Sequence, residues 1–182
     1  MNSLRGQLLV AGPRLIDPNF WRTVVLIVEH SDEGAFGLVL NRPSETTVGE
    51  AVPELETLVD PDVPLFIGGP VQPSSVITLA QFSDVTDAAL LAFDDIGVLG
   101  TGGPPLEELG ERVLTARAYV GHSGWGPGQL DSEFERGDWI AEAARHDDVF
   151  SDAPGELWSG VLTRKGGSYA LLARMPLDPS LN

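Results

Sequence analysis

"TVVLIVEHSDEGAFGLVLN", residues 23 to 41, is the stretch whose reading decides the fold. Residues 23 to 30 are rich in β-branched side chains and nearly continuous in apolar character, as in a strand buried on both faces. "SDEGA" is a loop short enough for a hairpin, and "FGLVLN" (36 to 41) is the returning strand. Upstream, "QLLVA" (7 to 11) reads as a further strand. The intervening "GPRLIDPNFW" carries prolines that fit a turn or a short helical segment.

Beyond residue 45 the pattern changes. "TVGEAVPEL" starts a helix at Thr46 or Thr47, with Glu50 three residues past Thr47 as a capping box. "PLFIGGPV" (64 to 71) reads as a strand ending at a Gly-Gly turn, and "SVITLAQF" (75 to 82) as another. "AALLAF" and "GVLGTGG" are weaker strands, and "PPLEELGE" is a short helix before the strand "RVLTARAYV" (112 to 120). "GPGQLDSEFERG" has Pro127 near a helix start and Gly137 just past its end, with Leu130 and Phe134 on one buried side. "DWIAEAA" (138 to 144) fits strand or helix. "PGELWSGVLTRKGG" (154 to 167) reads as a helix with Leu157, Trp158 and Leu162 inward, and "SYALLARMP" as a closing strand. No repeat, low-complexity tract or long linker interrupts the chain. The expectation is a single α+β domain over residues 1–182 with mostly antiparallel pairing.

Composition narrows the function classes. Apolar residues make up 42% and charged residues 21% of the 182, a globular balance rather than a disordered one. No apolar run approaches a membrane span, and "MNSLRGQLLVAGPRL" shows no leader-type cleavage pattern. The chain has no cysteine, which excludes disulfides, thiolate metal sites and cysteine nucleophiles and fits a cytoplasmic protein. Net charge is −16: residues 1 to 45 carry four arginines against five acids, and the remainder seven basic residues against 22 acids. With one lysine, Lys165, and no basic cluster, neither direct nucleic-acid contact nor docking on anionic lipid is expected. The acidity reads as a solvated, self-repelling surface.

The densest chemistry lies in "YVGHSGWGPGQLDSEFERGDWI" (119 to 140). A nucleophile elbow needs Gly-x-Ser-x-Gly, but Gly121, His122, Ser123 and Gly124 are followed by Trp125. His122 and Ser123 are neighbours, so on an extended strand they leave opposite faces. His30, oriented by Asp131 or Glu29, is the alternative base. An anion cradle is outlined by Gly121, Gly124, Gly126 and Gly128, but Asp131 and Glu133 already offset the positive end of the following helix. That disfavours a triphosphate and leaves a singly charged or neutral polar ligand. The third reading is architectural: glycines that permit positive φ and close packing, with Trp125 as a lid on the core. His30 with Glu29 and Asp32, and His146 with Asp147 and Asp148, match no metal motif, and "RHDDVFSD" reads as a solvated loop. No metal, cofactor or catalytic residue is assigned.

In order, "GQLLVAGPRLIDPNFWRTVVLIVEH", "GAFGLVLNRP", "FIGGPV", the loop at 119 to 140 and "LWSGVL" resemble the YqgE/AlgH family of small bacterial proteins with plant relatives. The resemblance implies one α+β domain with coiled, bifurcating β-sheets. It carries no established reaction, cofactor or metal, and implies a role in regulating transcription of an exopolysaccharide pathway, exerted here indirectly. The family usually has Tyr at the position of His122 and often Ala at Ser123, which tells against a serine nucleophile. Its blocks align Arg22, Asn41, Arg42, Gly68, Gly69, Gly124, Trp125, Gly128 and Gln129.

The expectation is a binding or regulatory module in which these residues line a groove for a carboxylate or a single phosphate. For Arg22 and Arg42 the alternative is an internal salt bridge, for example to Asp17 or Glu29. The other functional readings are a protein-partner scaffold with an exposed apolar patch including Trp21 or Trp125, and a hydrolase using His30, His122 and Ser123. Oligomeric state is not legible.

Overall fold

Alternate residues of the first two strands feed two different cores, which is why their apolar runs show no alternation. The computed structural model describes residues 2–177. In chain order its strands are β1 (Gln7–Ala11), β2 (Val24–Ser31), β3 (Gly34–Val39), β4 (Pro43–Thr47), β5 (Pro64–Ile67), β6 (Val71–Phe82), β7 (Ala88–Phe93), β8 (Ile96–Leu99), β9 (Val113–Trp125) and β10 (Trp139–Ala143). The helices are α1 (Val48–Ala51), α2 (Leu106–Leu109), α3 (Gln129–Glu135), α4 (His146–Val149), α5 (Leu157–Lys165) and α6 (Ser168–Leu172). Leu8, Val10, Val24, Leu26 and Val28 enter one core, while Leu9, Ala11, Val25 and Ile27 enter the other. Both faces of β1 and β2 are thus covered, as the β-branched run requires.

The strands form one α+β sheet system in the order β10-β1-β2-β3-β9-β6-β8-β7, antiparallel at each step. Beside this path β4 pairs antiparallel with β5, and β5 runs parallel to β9. The sheet bifurcates at β9. Val113 to Val120 pair with β6, which rejoins at His122 opposite Val71; Tyr119 and Val120 also pair with β5, and Ser123 to Trp125 pair with β3. Gly121, at φ +69°, lies at the irregularity of the β6–β9 ladder and bends the strand toward β3. The sheet coils so that Ala92 of β7 and Ile96 of β8 share a core with Leu8 and Leu26.

Helices close what the sheet leaves open. α5 buries Leu157, Trp158, Val161 and Leu162 on the first core, and Trp158 Nε1 donates to the Ala11 carbonyl at 3.0 Å. α3 buries Leu130 on the second core beside Trp125 and Trp139. α1 and the following 3₁₀ turn cover a third, smaller core against Leu65 and Ala118. The capping box forms as the sequence indicates: Thr47 Oγ1 accepts from the Glu50 N–H, and Glu50 Oε2 accepts from the Thr47 N–H at 2.9 Å. No helix among the described residues is long and apolar enough to cross a membrane.

Three local expectations change. "SYALL" is helix α6, not a closing strand. Gly166 and Gly167, both at positive φ, reverse the chain after α5. The sheet edge on β10, where a strand would add, is filled by Arg164 and Lys165, which donate to the carbonyls of Ala143 and Ala141 at 3.2 and 2.8 Å. With no edge to join, Ala and Leu follow their helix preference. "RHDDVFSD" is not a solvated loop either: it contains α4, and Asp148 is buried in a two-point pair with Arg164. Pro43–Thr47, given no element by the sequence, is strand β4. The ambiguous segment 138 to 144 resolves as β10.

Candidate functional site

Two of the candidate arginines meet where β2 begins and β3 ends. Arg22 precedes β2 in a left-handed conformation, φ +53°. Its Nη2 donates to the carbonyls of Met175 and Pro176 at 2.8 and 2.7 Å, and its guanidinium lies 4.5 Å from the Trp158 ring centroid and 5.2 Å from that of Trp21. Asn41 extends the β2–β3 ladder by side chain, accepting from the Val24 N–H and donating to the Arg22 carbonyl, each at 2.9 Å. Arg42 donates to the carbonyls of Asn19 and Trp21 at 2.8 and 3.1 Å. Burial pushes the Arg42 guanidinium below its ordinary range, partly offset by the charge of Asp17.

Arg22, Asn41 and Arg42 line one pocket of about 260 Å³ together with Trp21, Trp158 and Ser159. On its other side Arg42 borders a 180 Å³ cavity with Gly69, Ile67 and Pro70. Neither arginine has a carboxylate within ion-pair distance among the described residues. Both are satisfied instead by backbone carbonyls, which leave each guanidinium its full charge and unused N–H donors. Trp21 is 42% exposed at the pocket mouth, whereas Trp125 is 6% exposed and offers no surface patch.

Gly68 and Gly69 serve a backbone crossing. A Cβ on Gly68 would lie 2.4 Å from the Gly121 carbonyl oxygen, and one on Gly69 2.3 Å from the His122 carbonyl. The Gly68 N–H donates to Val120, and its oxygen accepts from Val39 N–H at 2.9 Å and Ser123 Oγ at 3.1 Å. Three strands are knotted there through one residue. Gly124, Trp125, Gly128 and Gln129 lie on the α3 side, apart from the arginine pocket. Gly128, at φ +70°, opens α3, and Gln129 Oε1 accepts from the Gly126 N–H at 3.0 Å. A Cβ built on Gly124 meets only ordinary contacts, the nearest being Val71 Cγ2 at 3.7 Å. These four residues shape the loop and leave few polar groups free.

The hydrolase constellation does not assemble. Ser123 is fully buried with its hydroxyl committed to Gly68, and the register puts Ser123 opposite Gly37 while His122 faces Val71. His122 packs on Phe36 at 5.0 Å between ring centroids, and burial pushes its imidazole below the usual histidine range. His30 Nδ1 accepts from the Leu4 N–H at 3.0 Å, and its Nε2 faces Asp131 at 3.8 Å. His146 pairs with Asp95 at 2.8 Å. No group of three or more metal-ligating side chains forms among the described residues.

Sequence reading missed a larger trough, about 560 Å³, lined by Leu58, Val63, Phe66, Leu114, Arg117 and Phe150 among others. It meets the arginine pocket along Arg42–Pro43 and Pro154–Gly155. No motif marks it, because its residues come from four separate segments.

A family described as AlgH-like matches residues 8–170. A UPF0301 protein of Streptomyces coelicolor is 40% identical, covering 100% of this chain and 97% of its own. A UPF0301 protein of Chlorobium phaeobacteroides is 41% identical over 97% and 95% of the two chains. Among solved structures, the crystal structure of protein DIP2367 from Corynebacterium diphtheriae superposes with a TM-score of 0.85 at 31% identity, covering 96% of this chain and 94% of that one. The solution structure of the AlgH protein from Pseudomonas aeruginosa gives 0.73 at 28% identity, covering 97% and 96%.

Proposed function

The chain belongs to the AlgH-like family, and on that premise we propose that it is a non-catalytic binding and regulatory module that takes a small carboxylate or singly charged phosphate between Arg22 and Arg42. One observation carries this reading: two guanidinium groups share a 260 Å³ pocket without a carboxylate partner among the described residues, in a protein of net charge −16. In such an acidic chain, leaving two cations unpaired in a recess preserves a local attraction for an anion. The carbonyls of Met175 and Pro176 engage Arg22 Nη2 alone, which leaves its other N–H groups for an oxygen acceptor. A role in transcription, as the resemblance implies, is then indirect. One lysine and no basic cluster give no counterion release on DNA.

The test is a thermal-shift titration of the purified protein with mono- and dicarboxylates, sugar phosphates and inorganic phosphate. A ligand at 100 times its dissociation constant raises stability by about 2.7 kcal/mol. The expected result is a saturable shift that disappears in Arg42→Ala, each variant being measured against its own unliganded midpoint. A shift that survives both Arg42→Ala and Arg22→Ala, or none across the panel, would overturn the reading.

A further inference from the structure

The connection from β1 to β2, "GPRLIDPNFWR" (12 to 22), spends Leu15 and Phe20 on the second core but leaves Ile16 and Trp21 outside it. Near the other end of the chain, Met175 and Leu177 follow α6 and enter no core. Ile16 and Leu177, at 79% and 70%, are the most exposed large apolar side chains among the described residues. These four groups are not scattered over the surface. With Leu172 and Trp158 they wall a single recess of about 180 Å³. Apolar side chains kept in water around a concavity mark a place where something apolar binds.

The recess adjoins the arginine pocket. Trp21, Arg22, Trp158 and Leu177 line both, so the two meet at one guanidinium. That cation lies against the Trp158 and Trp21 rings, and only its Nη2 is spent, on the carbonyls of Met175 and Pro176. No carboxylate lines either space among the described residues, whereas Asp60 and Asp152 line the larger trough beyond. The polar wall atoms are already committed: the two carbonyls to Arg22, and Trp158 Nε1 to the Ala11 carbonyl. A ligand group entering the recess therefore finds indole, thioether and aliphatic surface, with Arg22 at its border.

Size sets the group. A cavity of about 150 Å³ lined by aliphatic and aromatic side chains takes up benzene, so this recess matches one aromatic ring. We propose that the anion held at Arg22 and Arg42 is the carboxylate of an arylalkanoic monoacid, whose ring fills the recess between Ile16, Trp21 and Met175. The ring packs on indole and thioether, while the carboxylate takes the N–H groups of the two arginines. A second charge on the far end would be buried against Ile16 and Leu172 without a partner, which selects against diacids. The ring site rests on the reading of Arg22 and Arg42 as an anion site.

The probes are propionate, 3-phenylpropionate and the neutral 3-phenylpropanamide, each titrated into the isotope-labelled full chain and followed by amide and indole resonances. The expected result is saturable binding of 3-phenylpropionate, at least about tenfold tighter than propionate, that shifts Ile16, Trp21 and Met175. Arg42→Ala weakens both acids by like factors. Ile16→Ser, at an exposed position, leaves propionate binding and the unfolding midpoint unchanged but weakens 3-phenylpropionate by about threefold or more. Equal affinities for the two acids would overturn the ring site and leave the anion site standing. If neither acid bound, both would fall. An amide that bound as tightly as its acid would show that the recess takes rings without help from the cations, and would overturn their pairing. Undiminished binding of 3-phenylpropionate in Ile16→Ser, or shifts confined to other surfaces, would overturn the proposal as well.

Discussion

Trp125 and Trp139 share one acceptor: each indole Nε1 donates to Glu133 Oε2 at 2.9 Å, with the rings 6.1 Å apart and edge-on. The glycine-rich loop that looks most like a catalytic element is therefore pinned from above by α3. Both rings are buried, so their N–H groups have no access to water. Glu133→Leu leaves two buried donors unpaired and is expected to cost about 2 to 4 kcal/mol. Glu133→Gln keeps an acceptor and loses much less. Urea unfolding of the two variants compares them, and equal losses would remove the shared acceptor from the account.

The glycines of the chain divide by what surrounds them. Gly68→Ala drives a methyl against the Gly121 carbonyl and Leu38 and should lose about 3 kcal/mol or more. Gly124→Ala, with its nearest neighbour at 3.7 Å, should stay within about 0.5 kcal/mol of the parent. Gly128→Ala meets nothing but must hold φ +70°, an expected loss of about 1 kcal/mol. Thermal midpoints ordered otherwise would show that the crossing yields more than its geometry suggests.

Arg22 holds a left-handed conformation that an L residue adopts only at a cost of about 1 kcal/mol. Its carbonyl contacts and the Trp158 ring offset that cost. Arg22→Ala keeps the strain and loses the contacts, for an expected loss of about 2 kcal/mol. Arg22→Gly loses the same contacts but releases the strain, so it should be more stable than Arg22→Ala by about 1 kcal/mol. In both variants the amides of Ala173, Arg174, Met175 and Leu177 should exchange faster. A glycine variant no more stable than the alanine one would mean that the backbone there is unstrained.

His122 gives the fold a pH dependence of definite sign. Burial pushes its imidazole below the ordinary value, so the unfolded chain takes up the proton first as pH falls. Stability is then intact above about pH 6.5 and declines as pH drops from there toward the folded value. In His122→Gln that part of the slope should vanish. Superimposable midpoint-against-pH curves for parent and variant would sink the assignment.

Much of the fold was legible because its signals are local. The two-sided apolar run of β2, the Thr47–Glu50 box and the Pro127–Gly137 bounds of α3 each lie within a few residues. "SYALL" was misread since its apolar run suits strand or helix, and the choice fell to an edge already filled by Arg164 and Lys165. The aligned blocks carried the residues of the arginine pocket, but not their grouping. Arg22, Asn41 and Arg42 stand together, Gly69 adjoins them, and Trp125 and Gln129 belong to the far side.

By itself the sequence determined that this chain is an α+β domain with central strands buried on both faces, and it set the net charge of −16. Only the tertiary structure decided where β9 changes partners, why Gly68 must lack a side chain, and that residues from four separate segments wall one trough. The physical reason is range. Periodicity and caps are fixed by neighbours, whereas the Ser123 hydroxyl on Gly68 and the Arg22 guanidinium on Met175 join residues 55 and 153 positions apart. No window of sequence contains both ends of such a contact.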